Sequence, residues 1–144
     1  MPEQQTYANH TRWFPLFHFV VVPLLALNFL SHLVRLFMTP SWTMGFWVLL
    51  SITLILLALA SRLMALKAQD RVIRLEETLR YHRILSSELA ARAEELPVRQ
   101  IIALRFASDD ELTDLVTQVV DGKLQTSKEI KIAITNWRAD YLRV

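Results

Sequence analysis

The sequence predicts an all-α membrane protein: a two-helix transmembrane hairpin, its second span continuing into a long cytoplasmic helix, followed by a small helical C-terminal bundle. Three observations carry this prediction. The 144 residues are 53% hydrophobic, above the roughly 45–50% of a soluble domain even with glycine counted. The apolar excess sits between residues 13 and 61, whereas 14 of the 16 Lys/Arg and 13 of the 14 Asp/Glu lie from Arg62 onward. Finally, small or apolar residues recur at heptad spacing from Ser51 to Leu96.

Residues 1–12 read as a cytoplasmic tail. MPEQQTYANHTRW lacks the basic start, short apolar core and small-residue cleavage site of a signal peptide. The first span runs from about residue 13 to 38 and the second from about 42 to 61. Both reach the roughly 18–20 residues that cross a hydrocarbon core. TPSWT between them holds the helix stop Pro40 and two candidate caps, Ser41 and Thr43. So short a connection makes the spans antiparallel neighbours.

Arg62, Lys67, Arg71, Arg74 and Arg80 follow the second span, Arg12 precedes the first, and the connecting loop is uncharged. Cations beside a span favour the cytoplasmic side, so both termini are expected there. Arg12 and Trp13 then anchor the inner interface, and Trp42 and Trp47 the outer one, where indole rings are enriched.

The first span contains HFVVVPLLALNFLSHLVRLF, which carries His18, Asn28, His32 and Arg35. On an ideal helix these fall at about 80°, 0°, 40° and −20° from Asn28, an arc of roughly 100°. Polar groups at this depth usually face protein or water, and the second span offers only Ser51, Thr53 and Ser61 in return. The face therefore reads as a partner interface with too little to satisfy it inside the chain. Pro23 is expected to free the Phe19 carbonyl and kink the helix between the histidines. A haem or chlorophyll-type pigment on His18 and His32 as axial ligands is the lesser reading, because the second span has no histidine to complete a haem.

From residue 62 to 96 the heptad seam continues as one amphipathic helix, through Ala65, Ala68, Val72, Leu75, Leu79, His82, Ser86, Leu89, Ala93 and Leu96 to the stop at Pro97. With the second span it would make a rod of roughly 80 Å. His82, the polar intruder, is expected to bond to a neighbour across an interface. The seam can be covered by the chain's own last helices, by another subunit, or by a second copy, for which Arg71 and Glu76 fall at pairing positions of a parallel dimer.

Residues 97–144 form the C-terminal helical domain. PVRQIIALRF begins with a first-turn proline, SDDE at 108–111 is a capping box, and Gly122 closes the helix that follows. TSKE at 126–129 repeats the capping signature for a helix predicted to reach about Leu142, with Trp137 and Tyr141 on its core face.

No catalytic motif is present. There is no cysteine, which excludes disulfides, thiolate metal sites and a cysteine nucleophile, and two glycines build no phosphate loop. The candidate general bases near the membrane, His10, His18 and the carboxylates after Arg62, have no nucleophile or metal set around them. The positive charge clusters beside the membrane, at Arg62, Lys67, Arg71, Arg74 and Arg80, so nucleic acid is not an expected partner.

QTYANHTRWFPLFHF at 5–19, IIALRFASDDEL at 101–112 and IKIAITNWRADYLRV at 130–144 resemble a family of short bacterial two-span membrane proteins of unassigned function. The resemblance covers nearly the whole chain and implies an inner-membrane protein with no established activity. Within its first block, Asn9, His10 and Arg12 are expected first to tie the tail to the C-terminal bundle, with binding of lipid headgroups or docking of a partner as the alternatives.

The function expected from these features is that of a non-catalytic accessory or structural subunit of a larger membrane protein complex, with respiratory or photosynthetic assemblies as candidate hosts. It would contact the lipid bilayer and other subunits through the first-span face and the cytoplasmic helices. The alternative is a self-associating coiled-coil scaffold or signal relay.

Overall fold

A computed structural model describes Thr6, Tyr7 and residues 13–140. Among the described residues every regular element is helical, with one isolated antiparallel bridge and no strand. Two compact units emerge, one within residues 12–66 and the other built chiefly from residues 67–143. Arg12 and Tyr141 lie outside the described residues, as do Asn9 and His10.

In the first unit, a π-helical segment at Leu16–Val21 leads into α1, Val22–Met38. Pro23 explains the change of register. It has no N–H to give, and the wider turn lets Val22 donate to the Phe17 carbonyl five residues back. The expected disturbance at Pro23 is thus a widened turn on its N-terminal side. α1 ends where Thr39 folds its N–H and its hydroxyl back onto the Arg35 carbonyl, at 2.8 and 3.0 Å. Ser41 then caps α2, Trp42–Ile84, by accepting from the Met44 N–H at 3.2 Å.

The two helices lie antiparallel, as shown by contacts that run in opposite directions along them: His32 with Trp47, Asn28 with Ser51, Phe17 with Arg62. The helix Leu16–Met38, formed by the π-helical segment and α1 together, and α2 are each long and apolar enough to cross a membrane.

In the second unit, α2 ends at Ile84, which corrects the expectation of one helix to Leu96. Ser86 adopts an extended conformation and its hydroxyl accepts from the Leu89 N–H, starting α3, Ser87–Glu94. A serine that can cap competes with continuing the helix. The break also brings Ala90 and Ala93 into the core with Tyr81 and Leu85. α3 runs back along α2, and Arg74 caps its C-terminus by donating to the Glu94 carbonyl at 3.1 Å.

α4, Val98–Leu104, follows Pro97, and α5, Asp109–Val120, follows Ser108. Gly122, with φ of 76°, closes α5 in the left-handed region. Thr126 and Glu129 exchange hydrogen bonds at the start of α6, Ser127–Ala133.

α6 stops at Ala133, short of the predicted Leu142, because Glu111 takes the next backbone. Its carboxylate accepts from the N–H of Thr135 (3.1 Å), the Thr135 hydroxyl (2.6 Å) and the N–H of Asn136 (3.2 Å). Trp137 accordingly sits in an extended segment, not on a helix face. Ala107 and Trp137 form an antiparallel bridge, flanked by Ser108 N–H to Asn136 O and Arg138 N–H to Phe106 O. The core beneath is Tyr81, Leu85, Leu104, Phe106, Leu112, Val116, Ile130 and their neighbours.

Candidate functional site

The first-span polar residues meet more of the chain than their spacing predicts. Ser51, buried on α2, donates to Asn28 Oδ1 at 2.7 Å, so Asn28 finds within the chain the partner it was expected to lack. The same hydroxyl also lies 2.9 Å from the Trp47 carbonyl, so its one proton is shared between the two acceptors. His32 stacks on Trp47, ring centroids 5.7 Å apart and 12° from parallel, with its Nδ1 buried and not hydrogen-bonded. His18 turns its Nδ1 to the Phe14 carbonyl at 2.9 Å and lies edge-on to Trp13 and Phe17. His18 lies within the π-helical turn, where the 100° per residue used for the projection does not apply.

Arg35 is exposed in the last turn of α1. Trp13, Trp42 and Trp47 are all exposed, Trp42 most of all at 92%. Replacing Ser51 by alanine removes the donor to Asn28 and is expected to weaken the hairpin by about 0.6–1 kcal/mol. Reversible unfolding of the full chain in mixed micelles, followed by circular dichroism, measures it.

The second unit holds what sequence reasoning missed. Ile73, Tyr81 and Ile84 form a second stripe on α2, and with them Glu77 and Arg80 are buried, each about 4% exposed at the side chain. Arg80 is fully engaged. It donates to Asp109 Oδ1 at 2.8 and 2.6 Å, to the Ala107 carbonyl at 2.7 Å and to Glu77 Oε2 at 3.1 Å. Arg138 reaches the other oxygen of Glu77 at 3.4 Å.

Burial pushes the Glu77 carboxyl above its ordinary range, against the pull of Arg80, while the hydrogen bond from Arg80 draws Asp109 below its own. Burial, reinforced by the charge of Glu77, raises the Tyr81 phenol. This network ties α2 to the loop before α5 and to the segment after α6. Its centre, Glu77 and Arg80, is buried, while Asp109 and Arg138 close it from the solvent-exposed side, so its role is to hold the unit together.

Because that stripe takes the C-terminal helices, the predicted seam on the other side of α2 stays bare. Val72, Leu75 and Leu79 are 54%, 61% and 64% exposed. Ala68 is exposed above them. His82 at the far end is also exposed and forms an ion pair with Glu94 of α3; its partner lies on the chain's own next helix. The flanking charges Arg71 and Glu76 are exposed, and among the described residues neither takes part in an ion pair. Val72, Leu75 and Leu79 thus form an apolar stripe on α2 that no other described element covers.

Two apolar helices in an antiparallel hairpin, joined through α2 to a small helical unit with a bare heptad face, define the class of protein. The chain belongs to a family of unknown function, DUF6526, whose model matches residues 1–144. No curated protein and no solved structure shows significant similarity to it.

Proposed function

We propose that the protein is a non-catalytic structural subunit of a bacterial inner-membrane assembly, in which the hairpin spans the bilayer and the cytoplasmic helical unit presents the seam of α2 to a partner. The observation that carries this reading is the exposed run Val72, Leu75 and Leu79. A helix in a unit of this size normally hides such residues, and here the chain covers the opposite stripe of the same helix instead. The cations Arg62, Lys67, Arg71 and Arg74 support a cytoplasmic placement of the unit and of both termini. Arg80 adds nothing to that surface charge, since it is buried. The polar face of α1 contributes less than its composition promised: Asn28 is bonded to Ser51 and the His32 ring stacks on Trp47, which leaves the His32 Nδ1 and exposed Arg35 without partners in the hairpin.

The test is the size of the full chain after gentle detergent extraction from native membranes. The wild type is expected to migrate as a complex larger than its 16.7 kDa chain, and Leu75→Asp combined with Leu79→Asp to migrate as a folded monomer. A wild type that is monomeric in every mild detergent overturns the reading. Unchanged circular dichroism in the double variant shows that the loss is one of association, because both side chains lie outside the core.

A further inference from the structure

We infer that the occupant of the seam is a second copy of this chain, packed in parallel against the first as a two-stranded coiled coil over residues 68–82. The inference rests on the reading of the chain as a membrane-anchored assembly subunit, and names its partner.

The exposed positions Ala68, Val72, Leu75, Leu79 and His82 alternate in steps of four and three. This is the a/d spacing that keeps a seam facing an identical helix. In that register Val72 and Leu79 occupy a positions and Leu75 a d position, with a β-branched residue at one a and leucine at d, a combination suited to two strands. Arg71 then falls at g and Glu76 at the e position five residues on. In a parallel pair, g of one helix meets the following e of the other, so each Arg71 faces the Glu76 of the second copy, twice by symmetry. Neither residue has an ion pair among the described residues of its own chain, which leaves both available.

The direction is also constrained. Two copies inserted the same way in one bilayer carry their α2 helices in the same sense, and only the parallel arrangement makes the Arg71–Glu76 match. Two heptads are a short coiled coil in solution, but anchoring both chains to one surface raises their effective concentration and favours the pairing. The seam ends where it should: His82 is drawn to Glu94, and the next a position, Ser86, caps α3.

The chain has no cysteine, so one introduced thiol reports unambiguously. Full-length Leu75→Cys, oxidised in native membranes, is expected to give about tenfold more disulfide-linked homodimer than Lys67→Cys, whose c position points away from the seam and beyond disulfide reach. In the Leu75→Cys background, Arg71→Glu and Glu76→Arg are each expected to lower linkage about fivefold, and the two together to restore it. Self-linking without that rescue overturns the parallel register. Linkage of Leu75→Cys only to a different chain overturns the second copy while leaving the assembly reading intact. Absence of any link, with a monomeric wild type, overturns both.

Discussion

Arg80→Ala is expected to destabilise the C-terminal helical unit by about 3–5 kcal/mol, the cost of leaving a buried charge without its partner. Glu77 stays in place at 3% exposure, with Arg138 at 3.4 Å as its remaining cation. The Ala107 carbonyl loses its guanidinium donor, and with it the α4–α5 loop loses its tie to α2. Asp109 lies largely in solvent and adds little to the cost. The penalty depends on pH with a defined sign. Glu77 already has a raised pKa because of burial, and Arg80 is the first influence opposing that rise. A carboxyl with a raised folded pKa contributes stability below its unfolded value near 4.5 and loses it as pH climbs through the folded value. Removing Arg80 enlarges that loss. Asp109, held low by the Arg80 hydrogen bond, contributes stability above its unfolded value, and the variant forfeits it in the same range. Arg80→Ala should therefore be least harmful near pH 4 and most harmful at neutral pH. Thermal or denaturant unfolding of both proteins at several pH values checks it, and a penalty that is flat or grows in acid contradicts the account.

Arg80 also shows where sequence reasoning stops. A Glu77–Arg80 pair three residues apart on a charged helix reads as a solvated surface pair, and Arg80 reads as one more cation beside the second span. Its burial is decided by Ala107 and Asp109, 27 and 29 residues further on, and Glu77 is closed off by Arg138 at a separation of 61. No local period encodes such contacts. Local chemistry, by contrast, was legible: Ser41, Gly122 and the Thr126–Glu129 box sit where their side chains make them useful.

The heptad spacing holds as an exposed stripe only to Leu79: α2 ends at Ile84, and Ala93 of the same expected seam is buried in the core with Leu89 and Leu96 packed against it. Ala68, Val72, Leu75 and Leu79 do form a stripe, but a second stripe through Ile73, Tyr81 and Ile84 was present in the same segment. A helix apolar on two sides can be satisfied by its own chain on only one of them. The Ser86-Ser87-Glu88 sequence was the available sign that α2 would turn back, and the seam's regularity outweighed it. The polar face of α1 differs for another reason: Ser51 and Trp47 on α2 meet Asn28 and His32, and the π-helical turn before Pro23 interrupts the 3.6-residue projection only between His18 and the rest.

Phe106→Ala is expected to cost about 3–5 kcal/mol, the range for truncating a fully buried aromatic, and its effect should extend beyond a cavity. Phe106 is completely buried, with the Trp137 ring at 5.0 Å, the Arg105 guanidinium carbon at 4.6 Å and the Lys131 ammonium at 5.6 Å from its ring. Two cations over one ring add attraction that a smaller side chain cannot replace. The same residue's carbonyl accepts from the Arg138 N–H at 2.7 Å, in the bridge that holds the segment after α6. That segment brings Arg138 to Glu77. Loss of the ring therefore removes the surface against which Trp137 is seated and loosens the anchor of the buried ion network from its far side. Phe106→Leu, which keeps apolar volume but neither the aromatic stacking nor the cation contacts, should cost about half as much. Trp137 is the reporter: its fluorescence should shift to the red in Phe106→Ala before global unfolding, measured with Trp13, Trp42 and Trp47 replaced by phenylalanine so that one indole remains. A blue-shifted, unmoved Trp137 in the alanine variant would show that the bridge alone seats the segment.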